Sequence, residues 1–144
     1  MELTAYRNVV LDTSACIYFL EGPASDPRHM LTKPIIRAAE EGEVDVSVSV
    51  VSVTELLTGP LRAHDRLAEA HARLLLYEIC RVVPMDVQVA EYAARLRVRY
   101  GLRTPDAIVC ATGVVVHADA VVGNDERWKQ VAEIPYRHLD DLVG

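Results

Sequence analysis

No pair of cysteines at Cys-x-x-Cys spacing occurs in this sequence, no apolar run is long enough to span a bilayer, and no stretch is low in complexity. Each absence excludes something. Cys16, Cys80 and Cys110 are an odd number, far apart and set among apolar neighbours, so buried free thiols in a reducing compartment are expected rather than a zinc or redox site. The start of the chain lacks the charged-then-apolar pattern of a secretory leader, and cytoplasmic residence without membrane association is the expectation. His29, His64, His71, His117 and His138 are scattered, with no acidic or cysteine partner at metal-ligand spacing; for His64 and His71 a solvated helix surface is expected. An excess of positive charge is also missing. The net charge of −6 argues against binding nucleic acid by bulk charge. It does not exclude a nuclease, because a site that recruits divalent cations must itself be acidic.

What is present is an ordinary globular composition, 51% apolar and 25% charged over 144 residues. That length suits one domain, residues 1–144, with no linker or repeat. Strand and helix patterns alternate throughout. Asn8 to Leu11 reads as a buried strand, followed by a helix from Thr13 to Leu20 and a loop marked by Gly22, Pro23 and Pro27. Leu31 to Glu41 has helical spacing. Val44 to Val51 is the clearest strand, with Val at every even position through Val50.

Thr54 to Leu57 reads as a short helix stopped by Gly59-Pro60, and Arg62 to Ile79 as a long amphipathic helix with Leu67, Leu74 and Leu75 inward. Arg81 to Val83 is a short strand. Asp86 caps a helix ending near Gly101. Thr104-Pro105-Asp106 opens another helix, with Thr as cap and Pro at the first helical position. Val121-Val122 ends a strand, and Asp125 to Val131 reads as a last helix. Gly113 to Val116 fits either a strand or a helix. Such alternation implies a parallel sheet covered on both faces, an α/β fold of three layers, α/β/α.

In such folds working groups gather beyond the carboxyl ends of the strands. Asp12 directly follows the first strand, and Asn124 and Asp125 follow the strand ending at Val122. Glu55 comes shortly after the strand through Val50, and Asp106 lies in a first helical turn that starts at the same edge. Taken singly, each acid has a structural explanation: Asp12 and Asp125 as helix caps, Glu55 and Asp106 as complements to a helix dipole. As a set they are harder to explain that way. Four carboxylates on one edge repel one another unless cations sit between them or some are protonated. Hard oxygen ligands suit Mg²⁺ or Mn²⁺, and an ion so held can activate water and stabilise a phosphodiester under attack.

The opening Val9-Val10-Leu11-Asp12-Thr13-Ser14, the lone Glu55, Thr104-Pro105-Asp106-Ala107 and Gly123-Asn124-Asp125-x-x-Trp128 resemble the PIN-domain nucleases, most closely the VapC-type toxins of toxin–antitoxin pairs. The likeness runs from about Asn8 to Leu139 and implies a PIN-like fold. It implies catalytic and metal-binding roles for Asp12, Glu55, Asp106 and Asp125, with Ser14 and Asn124 in support; Thr13 could instead cap its helix. It further implies an endoribonuclease using Mg²⁺ (or Mn²⁺), a cognate antitoxin and a homodimer. Two departures stand out: Gly123 supplies no hydroxyl where the motif often begins with Thr or Ser, and Arg127 stands where some members carry a further acid. Both bear on a second metal.

Among the basic residues Arg95, Arg97, Arg99 and Arg103, the last is the best candidate for a phosphate contact, the first two suiting a solvated helix end. Tyr18 and Phe19 fit either a partner groove or core packing, and Trp128 a packing anchor. Other functions remain open. A PIN-domain nuclease of RNA processing would carry the same acids. A phosphatase using Asp12 as nucleophile would want a second acid at Ser14 and a lysine, and the only lysines are Lys33 and Lys129. A non-catalytic RNA-binding module would be expected to lose the acids.

Overall fold

Val9, Val10 and Leu11 are wholly buried, and their branched side chains suit a pleated strand covered on both faces. They form β1 (Asn8–Leu11), the centre of a five-stranded, all-parallel sheet in the computed structural model, which describes residues 5–22 and 25–143. Residues 1–4 and 144 of the expected domain, and Pro23 of the expected loop, lie outside the described residues. The chain continues through α1 (Thr13–Glu21) and α2 (Pro27–Glu40) to β2 (Asp45–Ser49). Next come α3 (Val50–Ala63), α4 (Arg66–Leu74), a π-helical turn at Leu75–Ile79 and β3 (Arg81–Val83). The second half holds α5 (Val87–Tyr100), α6 (Thr104–Val115), β4 (Ala120–Gly123), a 3₁₀ turn at Glu126–Gln130, β5 (Tyr136–His138) and α7 (Leu139–Val143).

Strand order is β3-β2-β1-β4-β5. The chain therefore moves outward from β1 in one direction and later returns to its other side, so the order switches between β1 and β4. Side chains alternate across β1. Val9 and Leu11 pack with Val46, Val48 and residues of α1 to α4, whereas Val10 packs with Val121, α5, α6 and Trp128. Two cores with one sheet between them make the expected three layers. Among the described residues no helix is long and apolar enough to cross a membrane.

Five local expectations need correction. β2 ends at Ser49, whose hydroxyl accepts from the Val51 N–H and starts α3 at Val50. Helix α3 then runs through Gly59-Pro60 to His64, which ends it in the left-handed conformation (φ 53°). Pro60 removes one main-chain bond, but Leu56 and Leu57 are buried and their packing holds the helix together. The expected single helix from Arg62 is instead α4 and a π turn, with Leu67 and Leu74 exposed and only Leu75 buried. Arg103, rather than Thr104, occupies the N-cap position of α6, without a side-chain bond, and Pro105 lies inside the first turn. Finally, Asp125 to Val131 is a 3₁₀ turn, followed by a strand and helix that local periodicity did not reveal.

Helix α6 approaches the sheet closely at Gly113. A Cβ there would lie 2.5 Å from Cγ2 of Val121, a short branched side chain in the buried centre of β4. Gly113→Ala is therefore expected to destabilise the protein by ~1–3 kcal/mol through overpacking, despite alanine's better helix propensity. Chemical denaturation would measure it; a stabilised variant would contradict this packing.

Candidate functional site at the carboxyl edge of the sheet

The switch between β1 and β4 places Asp12 beside the turn carrying Asn124 and Asp125. Leu11 pairs with Val122, and the Asp12 N–H extends that ladder by donating to the Val122 carbonyl at 2.8 Å. Asp12 occupies the N-cap position of α1, yet its carboxylate makes no capping bond to the helix. It accepts from the Ser14 hydroxyl at 3.1 Å instead. Burial, the largest cause, pushes the Asp12 carboxyl up to about 6, with Glu55 and Asp106 adding to the rise; the Thr13 backbone N–H and the Ser14 hydroxyl oppose it. Capping alone gives no reason to bury a carboxyl group at such cost.

Glu55 comes to this edge because α3 is a full helix. Its Oε1 accepts from the Thr13 hydroxyl at 2.7 Å, and that hydroxyl also lies 2.9 Å from Ser52 Oγ. Thr13 is buried and its side chain spans α1 and α3, so it ties Glu55 beside Asp12 rather than capping a helix.

Asp106 and Asp125 face each other across a guanidinium. Arg127 binds Asp125 in a fork, Nη2 to Oδ2 at 2.7 Å and Nε to Oδ1 at 3.1 Å, and the same Nη2 stands 3.8 Å from Asp106 Oδ2. The Arg127 side chain holds the Asp125 carboxyl below its ordinary range. Asp125 does also cap its 3₁₀ turn, accepting from the Arg127 N–H at 2.9 Å. Arg103 reaches Asp106 from outside, Nε to Oδ2 at 3.5 Å, with three quarters of its side chain exposed.

The fields of these acids overlap beneath the surface. The buried Cys110 thiol in α6 is pushed up chiefly by burial and then by Asp12, Asp106 and Asp125. All three cysteines are free and buried.

No group of three or more His, Cys, Asp or Glu side chains among the described residues converges closely enough to cage a metal ion. The donors instead suit an ion that keeps several waters and takes carboxylates singly, which is the habit of Mg²⁺. Asn124, next to Asp125, adds a buried side-chain oxygen with no hydrogen-bond partner, the kind of group that a bound water satisfies.

Of the remaining sequence candidates, His64 and His71 are exposed. Arg99 pairs with Glu133 at 2.6 Å, and Arg97 donates to the Leu102 carbonyl, so neither is directed at the acids. Tyr18 and Phe19 pack against the first core, and Trp128 is buried in the second. Arg127, which the sequence presents only as a departure from the motif, and Tyr136 also contribute. Only the fold carries Tyr136 to Asp125, 11 residues away.

No curated protein matches the chain. Solved structures do. VapBC2 from Rickettsia felis, bound to a promoter DNA fragment, superposes with a TM-score of 0.72 at 13% identity, covering 91% of this chain and 98% of that one. FitAcB from Neisseria gonorrhoeae gives 0.70 at 20% identity, covering 91% and 97%. VapC20 of Mycobacterium tuberculosis, a toxin that cleaves the sarcin-ricin loop, gives 0.66 at 21% identity, covering 90% and 98%. At these identities the likeness establishes the fold. The sequence profile of the PIN domain matches residues 9–134, nearly the whole of the described chain, and the protein belongs to the PIN domain family.

Proposed function

We propose that this protein is a Mg²⁺- or Mn²⁺-dependent endoribonuclease acting as the toxin of a toxin–antitoxin pair, with Asp12, Glu55, Asp106 and Asp125 as its metal-binding and catalytic acids. The observation that carries the reading is the half-buried Asp12 carboxyl, pushed up to about 6 with Glu55 and Asp106 contributing. A group in that environment favours a nearby cation strongly once ionised. The cation, when bound, supplies the positive charge and activated water that phosphodiester hydrolysis requires.

The chain's own residues prepare the site. Ser14 orients the Asp12 carboxylate and Thr13 orients Glu55, two hydrogen bonds that restrict both acids before any ion arrives. Arg127 holds Asp125 ionised. Asn124 supports a bound water. Arg103, exposed at the rim, contacts the RNA phosphate. Its replacement by alanine is expected to weaken RNA binding about fivefold, the worth of ~1 kcal/mol for an exposed charge contact, and to lessen its dependence on salt. An unchanged KM and salt slope would remove Arg103 from the interface.

The toxin role draws on the neighbours' own descriptions, among them VapBC complexes and a cleaving VapC toxin. It entails a cognate antitoxin, a homodimer and a cytoplasmic RNA substrate. Induction of wild type beside Asp12→Asn and Asp106→Asn tests it. Growth arrest accompanied by RNA cleavage from wild type alone is expected; equal arrest from all three would end the reading.

A further inference from the structure

Tyr136 lies on β5, the edge strand, yet its hydroxyl reaches the main chain of Asp125 from the neighbouring turn. It donates to the Asp125 carbonyl at 3.0 Å and accepts from the Asp125 N–H at 3.1 Å. Two bonds to one residue fix the peptide planes on both of its sides, so little freedom remains at its Cα. The ring is itself held, tilted 51° against Trp128 at 5.6 Å and edge-on to His138 at 6.5 Å. Gly123 makes the approach possible. A Cβ there would lie 3.1 Å from the Tyr136 hydroxyl, 3.3 Å from its ring and 3.4 Å from the Asp12 Cβ. The hydroxyl thus occupies the space beside Gly123, between the strand end that carries Asp12 and the turn that carries Asp125.

We propose that Tyr136 is a positioning residue, clamping the Asp125 main chain so that this carboxylate meets the divalent cation at a set place. The inference rests on the metal-site reading above. Tyr136→Phe keeps the ring and its packing while removing both bonds. It is expected to accelerate amide hydrogen exchange at Asp125 in the metal-free protein and to weaken Mn²⁺ binding about tenfold, the usual scale for a group that supports a ligand. The rate of RNA cleavage should fall with KM little changed. A merely structural role would act independently of Asp125, whereas a clamp acts through it. In an Asp125→Asn background, Tyr136→Phe should therefore cost Mn²⁺ affinity nothing further.

Calorimetric titration with Mn²⁺ of wild type, both single variants and the double variant measures this coupling, and NMR measures the exchange. Affinity within twofold of wild type for Tyr136→Phe, or equal losses in both backgrounds, would overturn the clamp. So would unchanged exchange at Asp125. A wild type that binds no Mn²⁺, with exchange at Asp125 accelerated by Tyr136→Phe, would sink the metal reading and with it the role assigned to the clamp; the hydrogen bonds would survive as packing alone.

Discussion

Asp12→Asn is expected to reduce RNA cleavage by about 10²–10³-fold, the scale seen when one strong electrostatic contributor leaves a preorganised site, and at neutral pH to make the metal-free protein more stable. The two effects share one cause. The Asp12 carboxyl is pushed from 3.8 to about 6 by folding, mainly through burial. Between those values the folded protein holds a proton that the unfolded chain releases. Stability is therefore fully present below about pH 4 and is lost as pH rises through about 6. A shift of this size corresponds to roughly 3 kcal/mol at neutral pH, an upper bound for a half-buried group. Asparagine has nearly the same shape, can still accept from Ser14 and has no charge to bury.

The thermal midpoint of Asp12→Asn should thus exceed that of wild type at pH 7.5 in chelator, and the difference should vanish near pH 4. Saturating Mn²⁺ should narrow the gap at pH 7.5 by stabilising wild type selectively. Manganese affinity of wild type should itself rise with pH through about 6, since the ion must displace the Asp12 proton. An Asp12→Asn protein less stable than wild type at pH 7.5 without metal would show that Asp12 serves the fold and not the site.

The second large effect concerns Trp128. Its side chain is 1% exposed and is the bulkiest of the fully buried residues. It packs in the core formed by Val10, Val121, α5 and α6, and its ring leans on Tyr136. The main-chain N–H of Trp128 donates to the Asp125 carbonyl, so the same residue closes the turn that presents the acid. Trp128→Ala is expected to cost ~3–5 kcal/mol, because so large a void cannot collapse between a sheet and two helices. For a chain of this length that corresponds to a fall of roughly 10 °C or more in thermal midpoint. Trp128→Phe should recover most of it, since the indole nitrogen has no hydrogen-bond partner among the described residues. Thermal unfolding decides between them. A loss under 1 kcal/mol for Trp128→Ala would mean that this turn is not anchored by its core.

Asp106 belongs with Asp12 as a site acid, but its replacement differs in an informative way. Arg103 and Arg127 both stand near its carboxylate. Removing that charge leaves two guanidiniums less compensated and frees Arg127 to bind Asp125 alone. A variant that loses cleavage for this reason would do so with little gain in stability, unlike Asp12→Asn.

Much of this protein follows from its sequence alone. The apolar run Val9-Val10-Leu11 has no polar face to offer water and so reads as a buried strand, and the regular alternation of strands with helices implied the parallel sheet. The burial of Ser47 and Ser49 between the valines of β2 was decided by the fold. Asp12 stands immediately after β1 and Asp125 two residues after β4, and chain direction in a parallel sheet carries every strand end to one edge. The three-layer class and that shared edge were therefore local consequences of pattern and connectivity. What the tertiary structure decided was every arrangement in which distant contacts outweigh local preference. Buried Leu56 and Leu57 carried α3 through Gly59-Pro60, and its early start at Val50 put Ser52 and Glu55 on one helix beside Thr13. Tyr136-Arg137-His138 is too short to announce a strand, and it became one only because β4 presented an open edge to pair with. Tyr136 reached Asp125, and Arg127 reached Asp106, only in the folded chain, since a three-dimensional meeting of side chains leaves no period in the sequence to read.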